Sequence, residues 1–195
     1  MSHILTRTED AVARIEIDRP EKKNALTADM YQAMADALKA AEADSKVRAI
    51  LIQGKADLFT AGNDLQDFLD HPPRDDARPV FQFLYAISRA EKPVVAAVAG
   101  AAVGIGTTML LHCDLVYAAP NARLQLPFVN LGLIPEAGSS LLLPALVGYQ
   151  RAAGLLLLGE PFGAQQAKEY GLVTEVVAEE RLLGFALEQA RKLAA

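Results

Sequence analysis

Apolar and polar side chains alternate from Ala11 to Asp18, with Val12, Ile15 and Ile17 set against Arg14 and Glu16, which predicts an antiparallel or edge strand ended by Arg19-Pro20. From Ala28 to Ala43, residues Met30, Ala33, Met34, Ala37, Leu38 and Ala41 recur at helical spacing. Thr27 precedes them as an N-cap, and Met30 at the third following place leaves the capping box incomplete. Ala49 to Gln53 reads as a short buried strand closed by Gly54. Helices are predicted over Asp64 to Leu69 and Val80 to Ile87, separated by a polar, proline-bearing surface loop from His71 to Pro79. Val94 to Val98 is a second buried strand, Gly106 to His112 a helix, and Leu115 to Ala118 a third strand. Helices follow over Leu141 to Val147, Arg151 to Leu157 and Ala164 to Tyr170, then a strand over Thr174 to Val177 and a last helix over Glu179 to Ala194. Short strands, apolar on both faces and separated by helices, point to an α/β fold of parallel βαβ units. No repeat or linker divides residues 1–195, so one domain is expected.

Composition narrows the function more than the fold. A net charge of -5 and a pI near 5.2 offer no sequence-wide positive field to nucleic acid or anionic lipid, so neither partner is expected. The single cysteine, Cys113, excludes an intrachain disulfide framework and a cysteine metal cluster. Met1 to Asp10 holds no apolar run of signal-peptide type, and the longest apolar stretch, Val94 to Leu111, is punctuated by Gly104 and Gly106. A strand-turn-helix fits that stretch better than a membrane span, and the expected location is cytoplasmic.

Two loops could carry chemistry. Gly104-Ile105-Gly106 follows a strand and opens a helix, where orphan N–H groups and the helix dipole favour an anion. A dinucleotide fold would want a glycine at the place of Met109, so that reading is weak, and the glycines serve equally well for a tight turn. Leu58 to Asp64 likewise joins a buried strand to a helix, with Asp64 also a candidate cap for that helix. Two glycine-bearing turns at one sheet edge can each aim a backbone N–H at one oxygen, as a thioester enolate requires.

The motifs Phe59-Thr60-Ala61-Gly62-Asn63-Asp64, Val98 to Gly106 (V-x-G-x-x-x-G-x-G) and Cys113 to Ala118 resemble the crotonase (enoyl-CoA hydratase/isomerase) superfamily. Asp18-Arg19-Pro20 with Lys23-Asn24-Ala25-Leu26, and Ala167 to Val173, are similar to further segments of that family, in order and with the expected gaps. The resemblance implies a crotonase-like spiral of ββα and βαβ turns, an acyl-CoA or enoyl-CoA thioester as partner, and no separate cofactor or metal, CoA being part of the substrate. It puts the oxyanion-hole amides on Asn63 and Ile105, and contacts to the CoA adenine and pantetheine on Ala61, Gly62, Asn63, Asp64 and Leu65, with Lys23 and Ala25 nearby. Family members usually continue into C-terminal helices that form trimers or dimers of trimers. This chain stops at Ala195, so a homotrimer or hexamer is expected if such a segment exists.

The acid/base residues narrow the reaction. The two carboxylates of the family's hydratases would fall at Thr108 and Phe128, neither of which exchanges protons usefully near neutral pH. Glu136 instead lies in Leu131-Gly132-Leu133-Ile134-Pro135-Glu136-Ala137-Gly138-Ser139-Ser140, which is similar to the segment carrying the catalytic glutamate of Δ3,Δ2-enoyl-CoA isomerases. Desolvation among Leu133, Ile134 and Ala137 should raise its pKa. Taken alone, the sequence favours a simple helix-start acid; taken with the resemblance, it favours the catalytic base of a 1,3-proton shift. Other enolate chemistry on the same scaffold, such as thioester hydrolysis, and a non-catalytic acyl-CoA-binding subunit remain open. His112, Cys113 and Asp114 read as structural, since neighbours on a helix point about 100° apart. Ser139 and Ser140 read as helix starters, and neither paired histidines nor a G-x-S-x-G elbow is present.

Overall fold

The chain begins with a hairpin of which alternation reveals only the second strand. In the computed structural model, which describes residues 3–55, 57–70 and 77–195, β1 (Ile4–Glu9) pairs antiparallel with β2 (Val12–Ile17). Leu5 to Thr8 are exposed on this edge, so β1 carries no apolar alternation to betray it. Asp10 and Ala11 turn the chain with φ of 49° and 60°, the conformation of a two-residue type I′ hairpin, without the usual glycine. Of the loop expected from His71 to Pro79, residues 71–76 lie outside the described residues, and Pro79 already belongs to the helix that follows.

α1 (Ala28–Ala43) forms as its periodicity predicts, with the Thr27 hydroxyl accepting from the Met30 N–H at 3.4 Å. β3 (Ala49–Gly54) follows, then α2 (Leu65–Asp70) and α3 (Pro79–Ser88). β4 (Val94–Val98) leads into the short β5 (Ala101–Val103). The helix expected over Gly106 to His112 is instead one α-turn, α4 (Ile105–Thr108), tightening to a 3-10 turn over Met109–His112. β6 (Leu115–Ala118), β7 (Arg123–Gln125), α5 (Ser139–Val147) and α6 (Tyr149–Leu158) come next. β8 (Phe162–Gly163), α7 (Ala164–Glu169), β9 (Glu175–Val176) and α8 (Glu179–Ala194) complete the described chain.

The main sheet runs β1-β2-β3-β4-β6-β9 and is parallel beyond its first pair. Both faces are covered, which is why its central strands read as unbroken apolar runs. Ile50 and Ile52 face one core together with Met34, Leu38, Phe83 and Val98. Ala49 and Leu51 face the other, where Leu182, Ala186 and Ala190 of α8 close it. A second sheet, β5-β7-β8, has strands of only two or three residues and gave no pattern to read. No described helix is long and apolar enough to cross a membrane.

Candidate active site

The two glycine-bearing turns meet side by side. Phe59 N–H donates to the Ala99 carbonyl and Thr60 N–H to the Ala101 carbonyl, while Val103 N–H donates back to Thr60. This short parallel ladder fixes the turn after β3 against the turn after β5. The contact is close enough to require glycine. Gly62, at φ +90°, would bring a β-carbon to 2.6 Å from the Val103 carbonyl oxygen, and one on Gly106 would lie 2.8 Å from Thr60 Cγ2.

The segment before α1 braces the first turn. Asn24, fully buried, donates its amide to the carbonyls of Ile17, Leu58 and Phe59 and accepts from the Arg19 N–H. Thr60 Oγ1 donates to the Asn24 carbonyl at 2.6 Å and accepts from Gly62 N–H. Ala61 N–H donates to the carbonyl of Lys23, whose φ is 52°, and Leu26 exchanges bonds with Gly62 and Asp64. Arg19 spans the Ala25 carbonyl and the Asp64 carboxylate at 2.9 and 2.8 Å. Thus Lys23, Ala25, Ala61, Gly62, Asn63 and Asp64 come together, with Lys23 and Leu65 exposed at the outside. Asp64 caps α2, accepting from the N–H groups of Gln66 and Asp67, and Arg19 followed by these caps holds its carboxyl below the usual range.

Asn63 and Ile105 sit at the ends of the two turns. Ile105 is the first residue of α4, where an N–H has no partner inside its own helix. Among the described residues, no protein acceptor meets the amide of either Asn63 or Ile105. The Asn63 side chain, by contrast, accepts a hydrogen bond from the Tyr31 hydroxyl.

Glu136 reaches the same place from the chain that precedes α5. Its backbone is pinned, since its carbonyl accepts from both the N–H and the hydroxyl of Ser139, at 2.9 and 2.6 Å. The Ser139 hydroxyl therefore turns back to Glu136 instead of capping the helix, whose N-cap is Gly138. His112 closes the turn from the other side, its Nε2 lying 2.8 Å from the Ala137 carbonyl oxygen. The carboxyl then faces Thr108, whose hydroxyl donates across 3.5 Å to Oε1.

Desolvation was expected from Leu133, Ile134 and Ala137, and in part this was wrong. Leu133 and Ile134 are 44% and 87% exposed, because the chain leaves the left-handed Gly132 with these two side chains outward. The direction of the shift nevertheless holds. Part of the residue's surface is open, yet its carboxyl lies deep enough that loss of water lifts the pKa to about 7, against a smaller lowering by the Thr108 hydroxyl. Tyr31 is also near: burial first, then the Glu136 charge, raises its phenol well above the ordinary value.

The rest of the His112-Cys113-Asp114 run is structural. Cys113 keeps some exposed area, but burial pushes its thiol up to about 12, which leaves no thiolate for nucleophilic work. Asp114 ends the helical turn by accepting from the Val94 N–H at 2.8 Å. Among the described residues, no group of three His, Cys, Asp or Glu side chains could hold a metal ion. Sequence reasoning missed Tyr31 and the facing role of Thr108. Tyr31 lies in the apolar stripe of α1, where a tyrosine looks like core.

Known proteins share the sequence and the fold that carry these turns. Residues 7–195 match the family model for enoyl-CoA hydratase/isomerase, and the chain belongs to that family. It is 38% identical to the 1,2-epoxyphenylacetyl-CoA isomerase of Escherichia coli (strain K12), covering 100% of this chain and 77% of the relative. It is 37% identical to the human enoyl-CoA delta isomerase 2 over 89% of this chain and 45% of that protein. Other similar proteins include a 2,3-dehydroadipyl-CoA hydratase and 4-chlorobenzoyl coenzyme A dehalogenases. The solved structure of Pseudomonas aeruginosa OdaA superposes with a TM-score of 0.96 at 48% identity, over 99% of this chain and 78% of that one. The fold is accordingly the crotonase fold.

Proposed function

We propose that this protein is an acyl-CoA enzyme that moves a double bond from the 3 to the 2 position of an enoyl-CoA thioester. One observation carries the reading: Glu136 turns its carboxyl inward beside Thr108, one helical turn from Ile105, with a pKa near neutrality. A non-catalytic binding subunit predicts that this glutamate is exposed or turned away. A hydratase predicts carboxylates where Thr108 and the buried Phe128 stand.

In this reading the thioester oxygen accepts from the amides of Asn63 and Ile105. As Glu136 takes a C2 proton, charge passes to that oxygen, and two preorganised donors hold the dienolate; each donor is worth about 3 kcal/mol in such sites. Glu136 then returns the proton to C4. A single base suffices because both carbons lie on one face of a flat intermediate. A pKa near 7 suits a group that must both accept and give back a proton. Lys23, Ala25, Leu65 and the turn from Ala61 to Asp64 supply the CoA contacts. A homotrimer or hexamer is also proposed for the protein where a C-terminal segment follows, supported by the exposed apolar side chains Leu131, Ile134, Leu141 and Tyr149. Sedimentation velocity that finds a monomer at micromolar concentration contradicts it.

The test of the reaction compares two substrates at equal concentration. 3-Hexenoyl-CoA should be converted to the conjugated 2-enoyl ester, while 2-hexenoyl-CoA should give little 3-hydroxyacyl product. Efficient hydration with no isomerisation would overturn the reading.

A further inference from the structure

One buried polar side chain near the site has no place in that mechanism. Tyr31 belongs to α1, is 4% exposed and leans on Phe83 at 5.7 Å between ring centres. It lines a narrow cleft together with Leu26, Asn63, Phe68, Pro79 and Val80, and its hydroxyl is spent on the Asn63 side-chain carbonyl.

Asparagine side chains readily bond to nearby backbone N–H groups, which is why they favour turns. In the turn from Thr60 to Asp64 the other backbone N–H groups are already engaged: Thr60 with the Ala101 carbonyl, Ala61 with the Lys23 carbonyl, Gly62 with Thr60 Oγ1, and Asp64 with the Leu26 carbonyl. A loose Asn63 side chain could therefore swing over the amides that the reaction needs, or let its own peptide rotate. We propose that Tyr31 is a positioning residue: by holding Asn63 Oδ1 it keeps the Asn63 N–H aimed into the site and free of its own side chain. This rests on the oxyanion role given to Asn63 above. The phenol stays a donor throughout the working pH range, because burial and the neighbouring Glu136 both keep its proton on.

The test uses Tyr31→Phe, Asn63→Ala and the double variant. The carbonyl stretch of bound 2,4-hexadienoyl-CoA, read by difference infrared spectroscopy, reports hydrogen bonding at the thioester oxygen without turnover. Tyr31→Phe should lose part of the red shift and lower kcat about tenfold on 3-hexenoyl-CoA with KM within about twofold, as a misaimed donor does. The double variant should be no worse than the more impaired single variant, since both remove one interaction. A red shift in the unaltered protein that survives intact in Tyr31→Phe and Asn63→Ala leaves the oxyanion reading standing and overturns the role of Tyr31. No red shift in the unaltered protein overturns both. Should Tyr31→Phe fail to fold, Asn63→Ala alone decides: an unchanged shift and kcat there overturn the proposal.

Discussion

Glu136 ties activity and stability to the same titration. Acting as a base, it must be ionised in the free enzyme, so kcat/KM should rise tenfold per pH unit below about 7 and level off above it. For stability the sign is opposite to that of a salt-bridged carboxylate. Its folded pKa lies above the unfolded value of 4.5, so between those values the native state binds more protons and stability falls as pH rises. Glu136→Gln removes that term: its Tm should exceed that of the unaltered protein by a few degrees at pH 8 and match it near pH 4.5, as scanning calorimetry can check. A gain at both pH values would mean that burial of charge is not what raises the pKa. The residue itself was legible through its segment, but its surroundings were not. Thr108, Tyr31 and His112 are 28, 105 and 24 positions away by number, and only the fold brings them to it.

At the scale of elements, the two turns are the parts that function cannot let move. Gly62→Ala should cost about 1–2 kcal/mol from the left-handed backbone alone, and more from the Val103 carbonyl 2.6 Å away. Urea denaturation should show a lower midpoint with m unchanged. Asp64→Ala loses the cap on α2 and the ion pair to Arg19, so about 1 kcal/mol should go by the same measurement. Long elements were readable because their burial pattern repeats: α1, β4, β6 and α8 have the bounds expected of them. β1 was not, because its outer face is polar and its turn uses Asp10 and Ala11 in place of glycine. The second sheet escaped for a different reason. Strands of two or three residues are made by long-range pairing, not by local preference.

For the whole molecule, the site is a product of topology. Three segments, at residues 23–26, 59–65 and 99–108, converge through backbone bonds at one edge of the sheets, and the turn holding Glu136 is laid against them from the start of α5. The turns at 60–65 and 104–108 were legible from their own residues, since glycine after a buried strand leaves a mark in sequence. The segment at 23–26 and the one holding Glu136 were legible only by their likeness to family segments. The central claim is that Glu136 is the proton carrier of a double-bond shift. The most direct measurement is the rate at which conjugated product appears from 3-hexenoyl-CoA with the unaltered protein and with Glu136→Gln, alongside the affinity of each for the ester. The account predicts a loss of about 10²–10⁴-fold in kcat with affinity kept; equal rates in the two proteins would contradict it.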